Sequence, residues 1–157
     1  MIEALLYQPT GQHRSMYDLE GDTMPETFVH VAAGTRPAYW FSGSQFTFIV
    51  TSEEAGGSYC AMELLVWPGT GPGPHLHEDA DEQFYVIEGD LTYTIAGQTF
   101  PVTTGDILFI PRNTLHSFKN GAAPARMLAT FTPGGNDRYF IEHGIPVDDS
   151  YRSVPPS

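Results

Sequence analysis

A chain of 157 residues that is 41% hydrophobic and 13% aromatic can bury one core without disulfides and leaves little room for a second domain. With 19 acidic residues against 7 basic, its formal charge of −12 repels both the phosphate backbone of nucleic acids and an anionic membrane surface, so neither is an expected partner. The lone cysteine, Cys60, excludes an intrachain disulfide; with no base near it in sequence, it reads as a small buried apolar side chain in a strand.

Residues 1–27 are polar and irregular, punctuated by Pro9, Gly11, Gly21 and Pro25. They are expected to form an arm, laid on a neighbouring subunit, with Phe28 to Ala33 as a first short strand; arm and strand together occupy residues 1–38. Met1 to Leu6 is too short and too acidic for a signal peptide, and no apolar run approaches ~18 residues, so the expected compartment is the cytoplasm.

Firm strand signals begin at Tyr39. Phe46, Phe48 and Val50 share one face of an extended segment, and Ser58 to Trp67 is apolar on both faces, as suits a strand between two sheets. The loop Pro68-Gly-Thr-Gly-Pro-Gly-Pro74 forbids helix and regular ladder pairing. Short strands then follow closely: Gln83–Glu88, Leu91–Ala96, Thr99–Val102, Asp106–Pro111, His116–Lys119 and Arg126–Thr132. Gly89, Gly97 and Gly105 mark turns between them. Such spacing predicts a sandwich or barrel over residues 39–133. Only residues 134–157 differ, as a short helix and a tail. Asn136 is the expected N-cap, Tyr139, Phe140 and His143 recur at helical spacing, and Gly144 ends the helix before a Pro-rich tail. No linker splits residues 1–157, which read as a single domain.

The chemistry concentrates in four residues. His75 and His77 are separated by one position, so on an extended backbone both imidazoles face the same side. Glu82 starts a strand whose face it shares with Phe84 and Val86; if that face is interior, its carboxylate is costly unless paired or bound to a metal. His116 shares strand parity with Phe118 and can also point inward. Three imidazoles and a carboxylate suit one divalent Fe, Mn, Ni, Co, Cu or Zn ion better than Ca or Mg, which prefer oxygen shells. The residues alone leave alternatives open. His75 and His77 could sit in a solvated turn, Glu78, Asp79 or Asp81 could face inward in place of Glu82, and His116 could be a core histidine bonded to backbone. His13, His30 and His143 read as surface or packing residues.

Two motifs tie these residues together. Gly69-x5-His75-x-His77-x4-Glu82-x6-Gly89 matches the first motif of the cupin family at every defined position, and Gly105-x5-Pro111-x-Asn113-x2-His116-x3-Asn120 resembles the second. Asn113 stands where that family usually has Gly; Asn tolerates a left-handed turn better than most residues, so the turn can survive. The resemblance implies an all-β fold: a single jelly-roll barrel of two antiparallel sheets with a short C-terminal helix. It also implies His75, His77, Glu82 and His116 as metal ligands.

The stretch Thr132-Pro-Gly-Gly-Asn-Asp-Arg-Tyr-Phe140 is similar to that of quercetin 2,3-dioxygenase-like cupins. That similarity implies a dioxygenase opening a flavonol-like or phenolic ring with O2. The metal would act as Lewis acid on a substrate oxygen and Glu82 would take the proton. Phe48, Met62, Phe84, Tyr93 and Phe118 are the expected substrate-pocket residues, an apolar lining suited to an aromatic small molecule. The same ligands also fit a cyclase or isomerase of an enolisable polyketide, which consumes no O2, or a ligand-binding cupin without turnover. Because a barrel of short strands leaves edges for a second chain to cover, a homodimer is expected.

Overall fold

The computed structural model describes residues 28–147 and, nearer the N-terminus, the backbone pairing of β1 (Leu5–Leu6) with β2 (Arg14–Ser15). The chain divides into two units, Met1–His30 and Val31–Ser157. Apart from that pairing, the expected arm over residues 1–27, including His13, and the tail beyond residue 147 lie outside the described residues.

Alternation of apolar and polar residues builds the second unit. Its strands are β3 (Ala38–Phe41), β4 (Ser44–Val50), β5 (Cys60–Val66), β6 (Asp81–Glu88), β7 (Asp90–Ile95), β8 (Gln98–Thr103), β9 (Ile107–Ile110), β10 (His116–Asn120) and β11 (Ala125–Thr132). Helix α1 (Asn136–His143) and the short β12 (Ile145–Pro146) follow. A seven-stranded sheet runs β12-β3-β4-β5-β11-β6-β9 and a three-stranded sheet runs β10-β7-β8. Every pairing is antiparallel, giving the predicted all-β architecture of two sheets with one short C-terminal helix.

Alternation is clearest on β11, where Ala125, Met127, Ala129 and Phe131 are buried and the residues between them are not. They join Phe48, Met62, Val66, Val86 and Tyr93 in one core between the sheets. Cys60 opens β5 fully buried, as expected, and burial pushes its thiol upward in pKa, which suppresses reactivity. Burial of this apolar set supplies most of the driving force for the fold.

Two local expectations are corrected. Residues 28–33 form no strand: Phe28 is 92% exposed, and the segment runs into a turn at Gly34 with Thr35 N donating to Ala32 O. Its apolar side chain meets no core, so nothing rewards extension there. Gly135, rather than Asn136, is the N-cap of α1, and no side chain caps the helix. The helix is anchored one residue further on, where the buried Asp137 carboxylate accepts from Ser52 N at 2.9 Å and from Ser52 Oγ. Gly144 ends the helix as expected, its N–H donating to Phe140 O. Among the described residues no helix is long and apolar enough to cross a membrane.

Candidate metal centre

Three stretches converge at one end of the barrel. His75 sits in the Pro-rich loop and forms an isolated antiparallel bridge with His116, the first residue of β10; their backbones exchange two hydrogen bonds of 2.9 Å. Antiparallel partners project their side chains to one side, so both imidazoles face the same space. The loop lies tight against β10 because of Gly71: a Cβ there would meet Phe118 O at 2.2 Å. His77 is fixed through its carbonyl, which accepts from Asn113 N at 2.7 Å. Asn113 holds φ at 63°, the left-handed turn its replacement of Gly demands.

Glu82 enters from β6, flanked by Ile110 on β9 and Phe131 on β11, and is 4% exposed. Of the acidic residues that could have replaced it, Glu78 and Asp79 are exposed. Asp81 is engaged by Arg112, whose backbone N and Nε donate to Oδ1 at 2.9 and 3.1 Å and whose Nη2 donates to Oδ2 at 3.0 Å. These bonds hold the Asp81 carboxyl down at about 2 and clamp the start of β6 to the β9–β10 turn. Sequence reading missed this clamp, because the two residues are 31 positions apart.

One donor atom from each of His75, His77, Glu82 and His116 lies within 4.8 Å of the others. Glu82 Oε2 is 2.9 Å from His116 Nε2 and 3.5 Å from His77 Nε2. These three atoms are buried, yet none has an aligned hydrogen-bond partner. On their other edges His75 and His116 donate from Nδ1–H to Gly73 O and Thr114 O, leaving each Nε2 with its lone pair. Burial and the His116 and His77 rings act oppositely on Glu82, and the rings prevail, so its carboxyl is held below the ordinary range. Burial lowers His75; for His116 burial is outweighed by the Glu82 carboxylate and the Thr114 carbonyl, and its pKa rises. An anionic oxygen and imidazole lone pairs, buried and unsatisfied, fit a divalent transition-metal ion.

His75, His77 and Glu82 line a cavity of about 740 Å³; His116 stands behind them, its Nε2 2.9 Å from Glu82 Oε2. Phe84 and Phe118, two of the expected pocket residues, line it; Phe48, Met62 and Tyr93 are not among its lining residues. Phe48 and Met62 oppose one another across β4 and β5, one pleat beyond the opposed pair Phe46 and Leu64, which does line the cavity. Tyr93 packs between Phe84 and Phe118 and donates its hydroxyl to Met127 Sδ. The apolar wall is extended by Ala129 and Phe131 of β11 and by α1, β3 and β4: Phe140 stacks on Phe46 with ring centroids 4.1 Å apart, and Tyr139 meets Phe41 edge-on at 5.4 Å. The helical spacing of Tyr139 and Phe140 was visible in the sequence, but not where the helix docks. Asn136, expected only to cap α1, also lines the cavity and touches His77. His143 stacks on Tyr139 on the exposed face of α1, and His30 is exposed.

A β-barrel of this topology with a cluster of three histidines and one glutamate at its cavity defines a class. Residues 62–131 match the cupin domain family, and the chain belongs to the cupins. It is 34% identical over 108 residues to quercetin 2,3-dioxygenase of Bacillus subtilis, covering 68% of this chain and 32% of that one. It is 32% identical over 93 residues to polyketide synthase CurC of Streptomyces cyaneus, covering 58% of this chain and 60% of that one. The chain thus spans less than two thirds of either relative. In fold it resembles the crystal structure of a predicted oxalate decarboxylase from Thermotoga maritima, with a TM-score of 0.63 at 20% identity over 67% of this chain and 99% of that one.

Proposed function

We propose that this chain is a metal-dependent dioxygenase that cleaves a flavonol-like or phenolic ring with O2. The observation that carries the reading is a cluster of four potential metal donors, three of them buried without a hydrogen-bond partner, beside an aromatic-walled cavity. The similarity to the Bacillus subtilis quercetin 2,3-dioxygenase supports it. His75, His77, Glu82 and His116 would hold one divalent Fe, Mn, Ni, Co, Cu or Zn ion, which supplies a Lewis acid toward a substrate oxygen. Glu82, bound to the metal or beside it, takes the hydroxyl proton of the substrate. Phe46, Phe84, Phe118 and Phe140 orient a flat ring and keep water away from it. Metal-reconstituted protein should consume O2 only when a flavonol is present; absence of uptake with any of the six metals would overturn the dioxygenase reading.

A second reading draws on the similarity to polyketide synthase CurC: a non-redox cyclase or isomerase of an enolisable polyketide, using the same ligands. Turnover of a polyphenolic polyketide without O2 consumption would favour it. The expected homodimer is likewise a proposal. Strand β9 ends the seven-stranded sheet with Ile107 and Phe109 more than half exposed, and sedimentation as a monomer at micromolar concentration would refute it.

A further inference from the structure

Two of the three imidazoles are held by main chain and the third by a side chain. A carbonyl oxygen can only accept, so Gly73 O and Thr114 O fix the Nδ1–H form of His75 and His116. His77 Nδ1 instead faces the amide of Asn136, with Nδ2 at 3.0 Å. Asn136 is the first residue of α1 and lines the same cavity as His75, His77 and Glu82. The helix does not depend on it for anchorage, since Asp137 makes the bonds to Ser52.

With Nδ2 toward the ring, the amide donates and Nδ1 accepts. The ring proton then sits on Nε2, which lies 3.5 Å from Glu82 Oε2. A cation at Nε2 needs the lone pair there, so the proton must be carried on Nδ1 and the group facing Nδ1 must accept it. An amide meets both needs, because rotation about Cβ–Cγ exchanges Nδ2 for Oδ1. The number of protons on the ring is the same in both forms.

We propose that Asn136 is the positioning residue of His77: the orientation of its amide selects which His77 nitrogen carries the proton, and so makes α1 part of the metal centre. This rests on the metal-binding reading above. A backbone carbonyl in the place of Asn136, as at His75 and His116, would hold the ring in the Nδ1–H form only.

The test uses the whole chain, titrated with Co2+ and followed by visible absorption and calorimetry. Asn136→Asp only accepts, which fixes Nδ1–H, and should bind Co2+ at least as tightly as the natural chain. Asn136→Ala leaves Nδ1 unsupported and should bind about 10- to 100-fold more weakly. Both substitutions suit the first turn of a helix, and matching circular dichroism would confirm the fold. A structural role alone would weaken both variants equally, and that outcome, or equal affinity in all three chains, overturns the proposal. Nitrogen NMR of the metal-free natural chain should find His77 protonated at Nε2 and the Asp variant at Nδ1; Nδ1–H in both would also overturn it. A natural chain that takes up no Co2+ would remove the metal reading itself. Tight binding unchanged by Asn136→Ala would remove only the role of Asn136.

Discussion

His116 and Asn120 open and close the same strand, β10, both are almost fully buried, and both belong to one sequence motif, yet they do opposite things. Asn120 is saturated: its Nδ2 donates to Val66 O, Trp67 O and Ala123 O at 2.8–3.1 Å, and its Oδ1 accepts from Gly121 N. His116 keeps a buried Nε2 without an aligned partner. Strand β6 repeats the contrast, with Glu82 unsatisfied at one end and Val86 packed in the core at the other. Burial of a polar group is therefore not what marks the candidate site; unpartnered buried atoms that converge on one another are, since Gln45 Oε1 is also buried without a partner but belongs to no such cluster.

This contrast can be broken by substitution. The largest effect is expected from His116→Ala, which removes one of four donors: metal content by elemental analysis should fall from about one ion per chain to background, with cooperative unfolding kept. Retention of equal metal would take His116 out of the site. Next comes Met127→Ala, in the fully buried core away from the cavity. It should lower unfolding free energy by about 2–5 kcal/mol in urea while leaving metal content unchanged. Asn120→Ala should cost about 1–3 kcal/mol, because it removes a buried amide bonded to Val66 O, Trp67 O, Ala123 O and Gly121 N, again without changing metal content. If it reduces metal binding as much as His116→Ala does, the separation of structural from functional polar groups on β10 fails.

The smallest effect concerns the Asp81–Arg112 clamp, which is open to solvent. The Asp81 carboxyl sits at about 2 instead of the ordinary 3.8. A depressed carboxyl adds stability that is fully present above 3.8 and fades as pH falls toward 2. Asp81→Asn should flatten only that acid limb of a stability–pH curve, and a change above pH 5 would refute the assignment.

Two things made the barrel and the four donors legible in the sequence: side-chain direction along a strand has a period of two, and the resemblance to the cupin motifs singled out Glu82 from Glu78, Asp79 and Asp81. His75 and His77, and Glu82 with Phe84, follow from that period, and the φ of Asn113 matches the turn expected of it. Parity gives the face but not the depth along it. That is why Phe48 and Met62 were expected in the cavity, where Phe46 and Leu64 stand one pleat away. Contacts between distant segments carry no local signal. Asp137 meets Ser52 across 85 positions and Asn136 meets His77 across 59, and both were invisible until α1 was docked. Phe28 was misread because its apolar run resembles a strand in pattern while lying outside the core.

The donors come from the loop before β6, from β6 itself in the seven-stranded sheet, and from β10 in the three-stranded one. A cation held by all of them ties the two sheets together as a reversible weld, in a chain whose single cysteine offers no covalent one. Unfolding has to release that ion, so the melting temperature would climb with free metal and drop on chelation, by roughly 2.7 kcal/mol of stability at a hundredfold excess over Kd. Heat resistance of this barrel would then be set by its ionic surroundings as much as by its packing.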